Sequence, residues 1–162
     1  MGVEIERKFL VIGDSWRENA EDCTRYVQGY LSREPERTVR VRLAGEKAYL
    51  TIKGQPPADA PLETPEFEYE IPKQDAEAML KLCLPGAIDK TRYRIPHDGK
   101  VFEVDVFAGE NEGLIVAEVE LKHSAEAFGK PAWLGAEVTE DLRYKNASLS
   151  VTPYKNWPKP AA

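Results

Sequence analysis

The stretch VEIERKFLV, residues 3–11, puts charge at four of its first six positions. In a β-strand successive side chains point to opposite faces, so Glu4, Glu6 and Lys8 share one face. Val3, Ile5 and Phe9 lie on the other, with Arg7 the exception. At roughly 3.3 Å of rise per residue, the two glutamates stem from points about 7 Å apart. On a helix the same two residues would diverge around the cylinder. Two carboxylates at that spacing repel by about 2 kcal/mol at an effective dielectric near 20, and water removes most of this on a solvated face. Taken alone, the segment reads as an amphipathic edge strand with a wet, charged side.

The rest of the chain repeats the pattern. Arg40 and Arg42 alternate with Val39, Val41 and Leu43, and Lys53 stands opposite Leu50 and Ile52. Glu66, Glu68 and Glu70 oppose Phe67, Tyr69 and Ile71. Lys90, Arg92 and Arg94 oppose Tyr93 and Ile95. Glu103 and Asp105 oppose Phe102, Val104 and Val106, and Glu118 and Glu120 oppose Ala117, Val119 and Leu121. An ordinary exposed face would mix Ser, Thr, Gln and Asn with its charges. This one uses almost only Asp, Glu, Lys and Arg, and each strand is mainly of one sign. Such a layout suits a polyanion gripped by Arg and Lys beside a divalent metal held by carboxylates. The charged faces then line an interior, and the apolar faces point outward to be covered by helices.

Turn and breaker residues mark the joints. Hairpins are expected at Ala44-Gly45-Glu46 and at His97-Asp98-Gly99, and a proline-rich loop over 55–65. Helical periodicity is expected over 73–84, a short helix over 124–130, and a last helical turn near 144–151. Eight or so strands joined mostly by short turns make a largely antiparallel sheet, and closure would remove its edges. One domain over 1–155 is expected, followed by a proline-rich tail over 156–162.

At 162 residues, 42% hydrophobic and 31% charged, the chain has the size and composition of a single soluble domain. No apolar run is long enough to cross a bilayer, and no signal peptide is visible. Cys23 and Cys83 form no disulfide framework and suit a reducing cytoplasm. The net charge of −6 argues against a general nucleic-acid binder. His97 and His123 are isolated, and no P-loop or Ser-His-Asp arrangement is legible. Trp16, Trp133 and Trp157 read as packing residues.

The sequence resembles the CYTH superfamily of triphosphate tunnel metalloenzymes. The likeness rests on Glu4-x-Glu6-x-Lys8, followed in order by QGYL at 28–31, VRVR at 39–42, TIKG at 51–54 and KTRYR at 90–94. FEVDVF at 102–107, AEVEL at 117–121 and EVTEDLRYKN at 137–146 complete it. The resemblance implies a mainly β (α+β) fold, a closed eight-stranded antiparallel β-barrel forming a charged tunnel with a few peripheral helices. It is strongest to short bacterial members that hydrolyse inorganic triphosphate with Mg²⁺ or Mn²⁺. By the same resemblance, Glu4, Glu6 and Glu120 bind metal, Glu118 holds a second metal or orients the attacking water, and Asp105 completes the acidic wall. Arg40, Arg42, Lys53, Lys90, Arg92 and Arg94 grip the triphosphate, and Lys145 helps close the site. Lys8 and Tyr30 form a lysine–tyrosine pair tied to catalysis and substrate choice. Which of Glu66, Glu68 and Glu70 faces the site stays open. The implied partner is a small-molecule triphosphate, with no nucleic acid and no membrane, and the resemblance suggests a homodimer. Two other readings stand beside this one: an organic triphosphate as substrate (thiamine triphosphate, a nucleoside triphosphate, or ATP cyclised to cyclic AMP), or a non-catalytic polyphosphate-binding module.

Overall fold

Strands with one charged and one apolar face need two different surroundings, and here the sheet supplies them by closing on itself. A computed structural model describes residues 2–158. Its strands are β1 (Val3–Val11), β2 (Asp22–Glu34), β3 (Arg37–Ala44), β4 (Lys47–Lys53), β5 (Glu63–Ile71), β6 (Ile88–His97), β7 (Lys100–Phe107), β8 (Ile115–Glu120) and β9 (Leu134–Glu137). The helices are α1 (Lys73–Leu80) and α2 (Asn146–Leu149). The tail expected over 156–162 lies outside the described residues beyond Pro158.

The sheet runs β5-β4-β3-β2-β6-β7-β8-β1-β9, and an added β5–β1 pairing closes eight of the nine strands into an antiparallel barrel. β1 makes the closure by changing partners along one edge. Val3–Ile5 pair with β5, Phe9 and Val11 pair with β9, and Glu6–Leu10 pair with β8 on the other edge. The β6–β7 hairpin turns through Asp98 and Gly99, both at positive φ (49° and 75°). That is the two-residue turn whose twist matches the flanking strands, and glycine meets its demand without strain.

The apolar core forms three patches, two outside the barrel and one on lumen-facing positions at one end of it. Phe9, Ile95, Phe102, Val104 and Val119 pack with Trp16 and Trp133. Ile88, Phe107, Leu114 and Val116 pack beneath Leu149 of α2 and the aromatic residues Tyr144, Tyr154 and Trp157. Val41 and Ala48 receive Ala76 of α1. The expectation that helices cover the outward apolar faces holds for α1 only, since α2 packs on the lumen-facing patch. Loops, a 3-10 turn at Ser15–Asn19 and β9 cover much of the rest, while Ile52, Phe67 and Tyr69 stay exposed.

The helix expected over 124–130 does not form. Glu126 turns back to accept from the Lys122 amide and to pair with Lys100 at 2.6 Å, and Phe128 packs edge-on to Phe9. These contacts outcompete a seven-residue helix that Gly129 and Pro131 would cut short. The strand the sequence did not reveal is β9, held to β1 by a two-point Arg7–Glu137 ion pair (2.8 and 2.5 Å). No helix among the described residues is long and apolar enough to cross a membrane.

Candidate active site

The alternation along each strand delivers the charged side chains into one cavity of ≈ 1040 Å³ inside the barrel. β1 contributes Glu4, Glu6 and Lys8, β3 contributes Arg40 and Arg42, and β4 contributes Lys53. β6 contributes Lys90 and Arg92, and β8 contributes Glu118 and Glu120. Tyr30 of β2 and Lys145 of the C-terminal segment also line it. The segment is drawn over the barrel by bonds from the wall. Lys8 Nζ donates to the Tyr144 carbonyl at 3.1 Å, and Lys90 Nζ donates to Asn146 Oδ1 at 3.0 Å. Fully buried Gln28 links the two sides, accepting from Arg42 Nε at 2.8 Å and donating to Asn146 Oδ1 at 3.3 Å.

Two of the sequence-predicted residues are placed differently from the rest. Arg94 does not line the cavity and pairs with Glu21 and Asp22, both at 3.4 Å, because the β2–β6 register sets it opposite the acidic start of β2. Asp105 is inside the wall at 1% exposure, and its carboxylate is already taken. Lys90 Nζ donates to it at 2.7 Å, and Arg92 donates twice, at 2.8 and 2.9 Å. Of the three β5 glutamates, Glu66 and Glu68 line the cavity and Glu70 does not. Glu68 accepts from Arg40 and Thr51, and Glu66 bonds to Glu4.

The acidic side is a chain of carboxyls. Glu66 adjoins Glu4, Glu4 adjoins Glu6, and Glu6 adjoins Glu118, so a proton on one can be shared with a neighbour. Two carboxyls can bond this way only if one keeps a proton. Burial raises Glu6 well above its ordinary 4.5, and the charges of Glu118 and Glu4 raise it further. Glu66 is pushed up to about 8 by burial and by its bond to Glu4. At Glu4 burial works the same way, yet Lys53, 2.7 Å away, outweighs it and holds the group below the usual carboxylate range. At Glu118 burial is likewise outweighed by Lys8 (3.6 Å) and Arg92 (3.7 Å).

The Glu66 shift has a readable consequence. Its folded value lies above its unfolded one, so between about 4.5 and about 8 the native protein holds a proton that the unfolded chain does not. Stability therefore falls as pH rises through that window. In EDTA, the melting temperature is expected to drop more steeply from about pH 5 to pH 8 for wild type than for Glu66→Gln. Parallel profiles would make Glu66 an ordinary exposed carboxylate.

Most of the cationic side is paired: Arg40 with Glu68, Lys53 with Glu4, and Lys90 and Arg92 with Asp105. Burial, with the charges of Arg40 and Arg92, lowers Arg42 to about 10, so it remains a cation at neutral pH. Among the described residues, Arg42 has no carboxylate partner, and Arg40 Nε is a buried donor with no hydrogen bond. Burial pulls Lys90 down to about 7, although Asp105 works against the fall. Acidic and basic side chains thus meet in ion pairs around one buried lumen, with Arg42 and Arg40 Nε left over.

The CYTH domain profile matches residues 2–154. The chain belongs to the CYTH domain family. Within it, the protein is 46% identical over 158 residues to a relative from Acetivibrio thermocellus named inorganic triphosphatase, covering 97% of this chain and 99% of that one. It is 36% identical over 154 residues to a protein of the same name from Nitrosomonas europaea, covering 92% and 97%. A crystal structure of an inorganic triphosphatase, also 36% identical, superposes with a TM-score of 0.65 over 93% of this chain and 96% of that one. This CYTH chain also carries site residues that sequence reasoning passed over: Tyr26, Gln28, Thr51 and Asn146. Alternation held a signal for the first two, since Tyr26, Gln28 and Tyr30 share a β2 face that lies beside Arg42 and Arg40 in the sheet register.

Proposed function

We propose that this protein is a metal-dependent hydrolase that cleaves inorganic triphosphate to pyrophosphate and phosphate inside the barrel. The observation that carries the reading is the division of one buried cavity into a cluster of adjoining carboxyls and a cationic arc in which Arg42 has no carboxylate partner and Arg40 Nε no hydrogen bond. A polyanion supplies what the arc lacks, and a hard dication supplies what the carboxyls lack. The names of both relatives point the same way.

The donor set suits such an ion. Carboxyl oxygens are the ligands Mg²⁺ and Mn²⁺ prefer, and the protons held between Glu66, Glu4, Glu6 and Glu118 occupy places that a dication would take. Among the described residues, no three such side chains converge tightly enough to chelate an ion unaided. This favours shared coordination with phosphate oxygens and water, the usual habit of Mg²⁺. Glu4, Glu6 and Glu118 would hold the ion, with Glu120 within the same cavity. When bound, it would neutralise phosphate charge and acidify water. Asp105, saturated by Lys90 and Arg92, acts as counter-charge for the arc and not as a ligand.

Hydrolysis adds water across one P–O–P bridge: the bridging P–O bond breaks, a new P–O bond forms to water, and the proton leaves with the products. Phosphoryl transfer asks the protein mainly for positioning and charge stabilisation. Arg40, Arg42, Lys53, Lys90 and Arg92 fix the chain of phosphates, and Lys145 approaches from the C-terminal segment. Glu118, ionised and beside Lys8, orients the attacking water. Lys8 and Tyr30 stabilise the group that departs. Burial strengthens each of these interactions.

The deciding experiment is phosphate release from tripolyphosphate, ATP and thiamine triphosphate, each with Mg²⁺, Mn²⁺ or EDTA. Rapid metal-dependent release from tripolyphosphate, with little from the others, is expected. Preference for an organic triphosphate would keep the site and replace the substrate. Binding without release would leave a polyanion receptor.

A further inference from the structure

Tyr26 lies at the centre of the cationic arc, and nothing described so far accounts for it. It sits on β2, directly across from Lys90 in the β2–β6 register and two residues before Gln28. Its ring centroid is 4.6 Å from Arg42 Cζ, 5.0 Å from Arg92 Cζ and 5.9 Å from Lys90 Nζ. Three cations share one ring. The Tyr26 hydroxyl makes no hydrogen bond to the described residues, so the ring is the part of this side chain that is engaged.

The arc poses a problem that a carboxylate would solve badly. Arg42 and Arg92 repel each other, and Arg42 is 8% exposed with no acid beside it. An acidic neighbour would hold Arg42 in place, but it would occupy the in-plane N–H groups and repel a phosphate. An aromatic face attracts a cation through its quadrupole and uses none of those N–H donors. With Nε given to Gln28, the terminal nitrogens of Arg42 make no hydrogen bond to the described residues.

We propose that Tyr26 is a positioning residue whose ring holds Arg42 and Arg92 apart, with Lys90 beside them, as a preformed grip for the phosphates. The proposal rests on the triphosphate reading above. It deepens that reading by giving Arg42 a π-bound platform where Arg92 and Lys90 have Asp105 as their counter-ion. A ring of this kind acts before the substrate arrives, so its loss shows as weaker capture and not as slower chemistry.

The test keeps the shape of the side chain and drains its quadrupole. Tyr26→Phe is expected to leave KM for tripolyphosphate within about twofold of wild type, because the hydroxyl is unengaged. Mono-, di- and trifluorinated phenylalanines at position 26 should then raise KM stepwise, to roughly tenfold in all, with kcat within about twofold. Tyr26→Leu should match the end of that series. A flat series with active wild type would overturn the proposal, as would a Tyr26→Phe defect equal to that of Tyr26→Leu. A fall in kcat without a rise in KM would also overturn it. If wild type itself releases no phosphate, the functional reading fails and the proposal falls with it. Because the fluorinated variants differ little in volume, a stepwise trend in KM across the series reports on charge and not on packing.

Discussion

Glu6→Gln is expected to lower kcat/KM for tripolyphosphate by at least about a hundredfold, while in EDTA the protein melts at the same temperature or higher. Residues that merely orient metal ligands cost roughly 10- to 100-fold when removed, so a direct ligand should cost more. The stability half follows from the same carboxyl chain. Burial and the charges of Glu118 and Glu4 work against ionising Glu6. A neutral amide of equal shape removes that opposition, donates a hydrogen bond where the acid held a proton, and binds Mg²⁺ poorly. Glu4→Gln should be equally inactive but less benign to stability, since Glu4 is the partner of Lys53 at 2.7 Å. Full activity of Glu6→Gln at low Mg²⁺ would place the metal elsewhere. A collapse of its fold would make Glu6 a structural residue.

Asp105→Ala should be the most destabilising single change in the barrel wall. Asp105 is 1% exposed and accepts from Lys90 and from two nitrogens of Arg92. Its removal leaves an ammonium and a guanidinium buried beside one another with their anchor gone. Breaking a buried pair in this way costs about 3–5 kcal/mol. For a chain of this size, that lowers the melting temperature by roughly 10 °C. Because the cations left behind still need an anion, added tripolyphosphate should raise the melting temperature of the variant more than that of wild type. A variant melting within about 2 °C of wild type would show that water or a rearranged carboxylate takes over the role. A variant that folds well yet loses its metal response would return Asp105 to the metal site.

Both predictions depend on contacts that the sequence did not show, even where it showed the residues. Alternation in VEIERKFLV, TVRVRL, KTRYR, FEVDVF and AEVEL was enough to name the charged interior, because a period of two leaves no choice about which side chains share a face. The hairpins at Gly45 and Gly99 were legible for the same local reason, since turn chemistry depends on neighbouring residues. The 124–130 segment was misread because its apparent helical pattern competes with contacts to Lys100 and Phe9, which come from distant strands. β9 gave no signal because a four-residue strand carries only two periods, and its anchor, Glu137, is 130 residues from Arg7.

The sequence by itself therefore determined the kind of structure: antiparallel strands, charge on one face, apolar residues on the other, and a signature that belongs to the CYTH domain. What only the tertiary structure decided is which charges meet. A strand's pattern says that a side chain points inward but not where around the barrel it stands, and closure through β1 and β5 sets that angle. Closure joins Glu4 to Glu66 and Lys53, while the β6–β7 register gives Asp105 to Lys90 and Arg92 and the β2–β6 register sets Arg94 opposite Asp22. Pairing of β3 and β6 with the two edges of β2 gathers Arg42, Arg92 and Lys90 around Tyr26. Coulomb energies fall with distance across the lumen and not along the chain, so the chemistry of the site became readable only once the barrel was closed.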